Sequence, residues 1–228
     1  MAALAGLLAD ATSAVFRLAL LDGRAWTATE LARHAGIAAS TATAHLNLLT
    51  EGGLLVEERQ GRHRYVRLAG PEAAELVEHL SALAPGRLAT PPRTLSAATR
   101  RSAMARARTC YDHLAGLLGV TITETMAERG LLDWRRGPAL TAAGAEWLDA
   151  LGIALPENSE RPAVRPCLDF TERRPHLAGT VGAALSRHAF DAGWIVRIGT
   201  TRAVSLTPEG RDAISNHLDL RHHAILEP

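Results

Sequence analysis

Apolar residues recur at helical spacing near the start of the chain and predict two helices there. The first covers residues 4–21. The second covers residues 28–34 and follows a capping-box pattern, in which Glu30 stands three positions after Thr27. Gly36 is expected to end this second helix, because glycine readily adopts the left-handed conformation that closes many helices. The chain therefore begins with two helices that are followed by a turn.

The next segment combines a helix with a polar face and an alternating strand pattern. Ser40 is expected to cap a helix over residues 40–50. Residues 54–58 and 63–68 predict the two strands of a hairpin, and residues 72–83 predict a further helix. Helix, helix, turn, helix, hairpin and helix, in this order, form the winged helix-turn-helix plan.

The second half of the chain contains an internal repeat, over residues 108–152 and 165–218. Both copies contain Cys-x-Asp, then His-Leu-Ala-Gly, and later Leu-Thr-x-x-Gly. Each copy is expected to form a helix, a hairpin and a helix. The predicted fold class is mainly α with small β-hairpin wings (α+β). It is divided into a domain over residues 1–84, a basic linker with a helix over residues 85–107, and a duplicated domain over residues 108–228.

Composition narrows the class of protein. Hydrophobic residues make up 47% of the chain, which supports a folded core, and no apolar run reaches the ~20 residues that a membrane helix needs. The net charge is only +1, every basic residue is Arg, and two cysteines do not make a disulfide framework. Phosphate-loop, Gly-x-Ser-x-Gly and His-Glu-x-x-His motifs do not occur. We therefore expect a cytoplasmic protein that is not an enzyme and does not contact a membrane.

The helix over residues 40–50 and the hairpin after it carry the residue types that contact DNA. A helix in the major groove places small polar side chains against base edges, and arginines on a wing reach phosphates or the minor groove. The buried side of the helix is expected to consist of Ala44, Leu46, Leu48 and Leu49. The candidate DNA-binding residues are Ser40, Thr41, Thr43, His45 and Asn47 on the helix, and Arg59, Gln60, Arg62, His63 and Arg64 on the wing.

Residues 3–83 resemble the arsenic-repressor (ArsR-type) family of winged-helix regulators. The resemblance is carried by TELARHAG at residues 29–36, STATAHLNLLTEGGLL at residues 40–55 and ERQGRHRY at residues 58–65. It implies a homodimer that binds a palindromic operator in double-stranded DNA and usually represses transcription. The dimer elements would be the first helix and the helix after the wing. The second half of the chain is then expected to sense a small-molecule effector.

The metal sites of that family do not carry over to this sequence. Some members carry a Cys-x-Cys type site at the start of the helix-turn-helix, but residues 30–34 contain no Cys. Others use paired Asp and His on the helix after the wing, where this chain has only Glu75, Glu78 and His79.

The repeat supplies two matched sets of polar residues, and several interpretations of them are open. The sets are Arg108, Cys110, Asp112 and His113 in the first copy, and Arg165, Cys167, Asp169 and His176 in the second. The cysteines and histidines are the ligand types of a site for Zn²⁺ or another thiophilic metal. The thiols alone suit a redox switch, and the Arg and His side chains suit an anionic or polar organic ligand. In a purely structural interpretation, the cysteines pack in the core and the aspartates pair with arginines.

The alternative to a DNA-binding regulator is a winged-helix module that binds a protein partner and does not bind DNA. The exposed face of the helix over residues 40–50 distinguishes the two, because a polar face flanked by Arg favours DNA and an exposed stripe of Leu favours a protein partner.

Overall fold

The computed structural model describes residues 2–61, 63–84, 94–134, 137–220 and 225. The chain forms two compact units, Met1–Pro91 and Pro92–Pro228. More than half of the described residues are helical, and the strands are short and antiparallel. The predicted class, mainly α with small β-hairpins, is confirmed. Among the described residues, none of the helices has the length and apolar character needed to cross a membrane.

The first unit combines five described helices with a three-stranded antiparallel sheet. The helices are α1 (Ala2–Ala9), α2 (Ala11–Leu20), α3 (Ala28–Ala35), α4 (Ala39–Glu51) and α5 (Pro71–Leu83). The strands are β1 (Trp26–Thr27), β2 (Leu55–Gln60) and β3 (His63–Leu68), in the sheet order β1-β3-β2. β2 and β3 form the wing hairpin, with Leu55 opposite Leu68 and Gln60 opposite His63.

The structure divides the predicted helix over residues 4–21 into α1 and α2. The break falls at Asp10, whose backbone is extended with a ψ of 129°. The Asp10 carboxylate accepts a hydrogen bond from the backbone N–H of Ser13 at 2.6 Å and so caps α2. Aspartate stabilises a helix start better than a helix interior, which explains why the apolar spacing alone missed this boundary.

The helix-turn-helix is closed by local signals. The capping box of Thr27 and Glu30 is confirmed, since each side chain bonds the other residue's backbone N–H. Gly36 ends α3 in the left-handed conformation, with a φ of 72°. The expectation that Ser40 caps α4 is wrong: the cap position is Ala38, whose side chain makes no capping bond. The helical backbone resumes two residues earlier than the polar residue suggested, so Ser40 lies inside the first turn.

Apolar side chains from the helices and the sheet form the core of the first unit. Its members that are at most 1% exposed include Phe16, Leu20, Leu31, Leu46, Leu49, Leu55 and Val66. Burial of each such side chain stabilises the fold by about 1.5–3 kcal/mol. The expectation that Ala44 and Leu48 also face inward is wrong, because the buried stripe of α4 runs through Ala42, Leu46 and Leu49. Leu48 is 54% exposed.

The second unit begins with α6 (Leu95–Arg106) and continues as two series of elements in the same order. The first series is β4 (Arg108–Cys110), β5 (His113–Ala115), α7 (Gly116–Glu128), β6 (Leu132–Asp133), β7 (Ala139–Leu140) and α8 (Ala142–Ala150). The second is β8 (Arg165–Leu168), β9 (Pro175–Ala178), α9 (Gly179–Asp191), β10 (Ile195–Arg197), β11 (Val204–Leu206) and α10 (Pro208–Leu218). Each series opens with a hairpin at a place where the sequence predicted a helix. The hairpins were missed because strands of three or four residues are too short to show a period.

The two series interlock through glycines in their long helices. A Cβ on Gly119 of α7 would lie 2.4 Å from the Leu114 carbonyl oxygen and 3.6 Å from the Cβ of His176. A Cβ on Gly182 of α9 would lie 3.3 Å from the Cβ of His113. Each glycine therefore lets its helix approach a histidine of the other series.

Candidate DNA interface and cysteine–histidine cluster

The helix α4 presents a polar face to solvent. Ser40, Thr41 and Asn47 are exposed on it. Thr43 is half-buried, and its hydroxyl donates a hydrogen bond to the Ala39 carbonyl at 2.9 Å. Because the N–H groups of the first helical turn have no partner within the helix, Ser40 and Thr41 lie where a helix favours a phosphate.

His45 points from α4 toward α2 and not into the exposed polar face. Its Nδ1 lies 3.2 Å from Ser13 Oγ and 3.2 Å from Asp10 Oδ1. Its ring meets the ring of Phe16 edge-on, with centroids 6.3 Å apart. These contacts hold α4 against α2, so the structure favours a positioning role for His45.

The wing tip carries the polar and basic side chains that the sequence suggested. The exposed candidates there are Arg59, Gln60 and His63. Arg64 is half-buried and forms an ion pair with the carboxylate of Glu57 on the facing strand. Arg62 lies outside the described residues.

One large apolar side chain, Leu48, is exposed among the described residues of α4. A single exposed Leu is ordinary on a protein surface, whereas a docking face needs a contiguous apolar patch. The face therefore lacks the Leu stripe that would favour a protein partner.

In the second unit, the two opening hairpins bring four candidate residues together. Cys110 pairs with His113 across β4 and β5, and Cys167 pairs with His176 across β8 and β9. All four side chains are at most 2% exposed. The two Sγ atoms lie 3.9 Å apart and the two Nε2 atoms 3.2 Å apart. One donor atom from each residue lies within 4.8 Å of all the others.

A carboxylate stands behind each histidine of this cluster. Asp112 Oδ1 lies 3.1 Å from His113 Nδ1. Asp169 Oδ2 lies 3.3 Å from His176 Nδ1, which is an ion-pair distance although the angle falls short of a hydrogen bond. Burial lowers the pKa of both imidazoles, but the adjacent carboxylates and Cys110 outweigh it, so both pKa values lie above the ordinary value of a histidine.

Asp169 is a fully buried carboxylate with several partners. Burial raises its pKa, but His176, Arg108 and the Thr171 hydroxyl hold that pKa well below its usual range. Its Oδ2 accepts hydrogen bonds from Arg108 Nη2 at 2.9 Å and from the Gly116 N–H at 2.7 Å. Asp169 therefore stays ionised and joins the cluster to Arg108.

Arg108 in turn connects this carboxylate to α6. It is fully buried, and its Nη1 donates to the carbonyl of Met104 in the last turn of α6 at 3.0 Å. Its guanidinium stacks over the ring of Phe170, 4.2 Å from the centroid.

Asp112 has a different arginine partner from the one its position in the repeat suggested. Arg161 Nη1 donates to its Oδ2 at 2.7 Å. Burial raises the pKa of Asp112, but the hydrogen bonds from His113 and Arg161 lower it to about 2. Arg165 lies on β8, where its backbone pairs with Ala178. Sequence reasoning missed Arg161 because it belongs to the segment between the two copies.

A separate apolar pocket of the second unit has a volume of about 40 Å³. Its lining includes Leu114, Ile122, Trp147, Leu177 and Trp194. Pockets for drug-sized organic ligands enclose roughly 300–1,000 Å³ and place a few polar groups for orientation. The candidate residues Arg108 and Arg165 do not belong to this lining.

The packed helices α3 and α4, the left-handed turn at Gly36 and the arginine-bearing wing define a winged helix-turn-helix DNA-binding protein. A family model described as a helix-turn-helix domain matches residues 8–58. Over 224 residues the chain is 38% identical to the uncharacterized HTH-type transcriptional regulator YdfF of Bacillus subtilis (strain 168), covering 97% of this chain and 98% of that relative. The chain therefore belongs to the family of HTH-type transcriptional regulators, and not to an enzyme family. The sequence-based assignment to helix-turn-helix transcriptional regulators is confirmed, and the arsenic-repressor type stays a prediction.

Two solved mycobacterial structures match part of the chain. One is the homodimeric winged helix-turn-helix DNA-binding domain of Mb0332 from Mycobacterium bovis, a possible ArsR-family regulator. It is 28% identical over 41% of this chain and 85% of that structure, with a TM-score of 0.35. The other is the cadmium sensor CMTR from Mycobacterium tuberculosis, 32% identical over 41% of this chain and 94% of that structure, with a TM-score of 0.33.

Proposed function

We propose that this regulator acts as a homodimer that binds a palindromic operator in double-stranded DNA and represses transcription. The observation that carries the proposal is the division of α4 into a buried apolar side and an exposed polar side, next to a wing tip with exposed Arg59. A helix held in this way can enter the major groove while the wing contacts the neighbouring backbone. We propose that it acts in the cytoplasm, where it would meet chromosomal DNA.

The exposed residues divide into two kinds of contact. Asn47 offers the amide that pairs with the N6 and N7 edge of adenine, so it is the candidate for base readout. Ser40 and Thr41 at the start of α4, Arg59 on the wing and the sequence-based candidate Arg62 are candidates for phosphate contacts, which fix position and strengthen binding at any sequence. His45 is assigned to holding the helix in place.

The dimer contact is proposed to use α1 and α5, the elements that the family resemblance implies. Support comes from the apolar sequence of α1 and from Leu80 and Leu83 on α5, which are 43% and 73% exposed. A second copy of the chain would cover such side chains, and a two-fold dimer would present two copies of α4 to two half-sites of a palindrome.

The second unit is proposed to receive the signal. The cluster of Cys110, His113, Cys167 and His176 supports a response to a thiophilic metal or to thiol oxidation. An organic effector has less support, because the apolar pocket is small and its lining lacks the candidate arginines. Cluster chemistry and DNA affinity are therefore expected to be coupled.

The DNA proposal is tested by selection of duplexes from a randomised library with the full chain, followed by gel shifts on the selected duplex. Asn47→Ala is expected to cost about 1–3 kcal/mol of discrimination at one base pair per half-site. Arg59→Ala is expected to weaken binding to all duplexes alike and to reduce the salt slope by about 1. Arg187→Ala is the matched control, because it removes an exposed arginine from the second unit.

Circular dichroism of each variant shows whether the fold is retained. If folded Asn47→Ala and Arg59→Ala bind the selected duplex like the wild type, α4 and the wing do not form the interface. If the chain binds no duplex of the library, the alternative of a winged-helix module that binds a protein partner gains support.

A further inference from the structure

The cluster of Cys110, His113, Cys167 and His176 has the composition of a Cys₂His₂ metal site, and its four donor atoms lie within 4.8 Å of one another. We propose that it binds one thiophilic divalent metal ion per chain, with Zn²⁺ as the best fit, through two Sγ and two Nε2 atoms. The metal site itself does not depend on DNA binding. Its effect on DNA affinity rests on the proposed function.

Two of the six distances between donor atoms match the edges of a tetrahedron. With bonds of about 2.3 Å to sulfur and about 2.05 Å to nitrogen, tetrahedral zinc requires about 3.8 Å between the sulfurs and about 3.3 Å between the nitrogens. The Sγ atoms of Cys110 and Cys167 lie 3.9 Å apart, and the Nε2 atoms of His113 and His176 lie 3.2 Å apart. Shifts of about 0.1 Å in each pair therefore give the S–S and N–N edges of a zinc tetrahedron, and all four donor atoms lie within 4.8 Å of one another.

The carboxylates orient both histidines for metal binding. An ionised carboxylate only accepts hydrogen bonds, so the Nδ1 of His113 beside Asp112 carries a proton, and Asp169 at 3.3 Å favours the same arrangement at His176. The two Nε2 atoms then face each other at 3.2 Å, a hydrogen-bond distance at which a cation could replace a shared proton. A carboxylate behind each metal-bound histidine is the usual arrangement in zinc proteins.

The other interpretations explain fewer of these features. A redox switch uses the two thiols and gives no role to the paired imidazoles with their carboxylates. Core packing accounts for the buried cysteines and permits a hydrogen bond between the two imidazoles, but it gives no reason for both cysteines to lie beside that histidine pair. A metal ion satisfies all four side chains at once.

Metal binding would also link the two series of the second unit. Each hairpin contributes one cross-strand Cys–His pair, so a single ion joins β4–β5 to β8–β9. From His176 the path continues through Asp169 to Arg108, and from Arg108 to the Met104 carbonyl in α6. Ligation would therefore act on α6, the first described helix of this unit.

The test uses the full chain, reduced and stripped with a chelator, and titrated with Co²⁺ as a spectroscopic probe. The expected result is one Co²⁺ per chain, the ligand-field bands of a tetrahedral centre, a thiolate-to-cobalt charge-transfer band, and displacement of Co²⁺ by Zn²⁺. X-ray absorption of the zinc-loaded wild type is expected to count two sulfur and two nitrogen ligands, a readout that needs no variant.

Variants assign the ligands. Cys110→Ser and Cys167→Ser are each expected to weaken the charge-transfer band, and Asp112→Asn is expected to lower metal affinity about 10–100-fold. The matched control is His217→Gln, an exposed histidine of the same unit that stacks on Trp194 and is expected to bind like the wild type.

Several outcomes would overturn the site: a six-coordinate cobalt spectrum without a thiolate band, unchanged binding in the double cysteine variant, or no sulfur in the zinc shell. Peroxide-driven disulfide formation in a chain that takes up no metal would favour the redox interpretation instead. Metal binding by a chain that selects no DNA would refute the proposed function and leave the site standing. DNA binding by a chain that takes up no metal would refute the metal site and leave the proposed function standing.

Discussion

The ion pair between Arg108 and Asp169 yields a quantitative prediction for stability. Both side chains are fully buried, and Arg108 Nη2 lies 2.9 Å from Asp169 Oδ2. Arg108→Met keeps a long side chain but leaves the carboxylate buried without its guanidinium partner. Removal of one member of a buried pair costs about 3–5 kcal/mol, because the remaining charge stays desolvated. We therefore expect the second unit to lose about that much free energy of unfolding.

The assay is urea unfolding of the full chain in the presence of a chelator, so that metal binding does not contribute. Tryptophan fluorescence reports mainly on the second unit, which contains three of the four tryptophans. With a urea dependence of about 2 kcal/mol/M, the expected loss moves the midpoint down by about 1.5–2.5 M. The matched control is Arg161→Met, which breaks the partly exposed pair with Asp112 and is expected to cost less than about 1 kcal/mol.

The single variant Asp169→Asn and the double variant Arg108→Met/Asp169→Asn complete a double-mutant cycle. The double variant removes both charges, so its loss of free energy of unfolding is expected to be smaller than the sum of the losses in Arg108→Met and Asp169→Asn. The reasoning is refuted if Arg108→Met costs no more free energy of unfolding than Arg161→Met. It is also refuted if the double variant loses as much as Arg108→Met and Asp169→Asn together.

Further expectations concern a helix contact and a helix cap. Gly119→Ala is expected to lower the melting temperature, because its Cβ would lie 2.4 Å from the Leu114 carbonyl oxygen. A Cβ on Gly6 of α1 would meet nothing within 4 Å, so the control Gly6→Ala is expected to raise stability by about 0.5–1 kcal/mol. Equal melting temperatures for the two variants would contradict this. The hydrogen bond from the backbone N–H of Thr27 lowers the pKa of Glu30 despite some burial. The ionised cap therefore stabilises the fold at pH values above the ordinary pKa of 4.5, and this stabilisation is lost as the pH falls through the lowered pKa. The destabilisation by Glu30→Gln, measured as a melting-temperature difference over a pH series, is therefore expected to shrink on acidification, and a constant difference would argue against the cap.

The helices of the first unit could be predicted because their ends carry strong local signals. The capping box at Thr27 and the glycine at residue 36 each satisfy backbone groups within a few residues, so the sequence alone places α3. The start of α4 could not be placed in this way, since Ala38 makes no capping bond. The inward turn of His45 depends on Ser13 of α2 and on its cap residue Asp10, which are distant in sequence.

The residues of the candidate site in the second unit could be predicted from the sequence, but the residues that contact them could not. The repeat singled out both cysteines and both histidines, because matched residues in two copies meet when the copies pack together. The opening hairpins were missed, since β4 and β5 have three residues each. Arg161 was missed because it has no counterpart in the repeat and reaches Asp112 from 49 positions away.

The central claim, that α4 and the wing read operator DNA, is tested most directly by a base-resolved footprint on the selected duplex, with wild type and Asn47→Ala compared. We predict protection of two half-sites about 10 bp apart, and loss of preference at the same base pair in each half-site for the variant. Protection of a single unrepeated site, or an identical base preference in the two proteins, would contradict the claim.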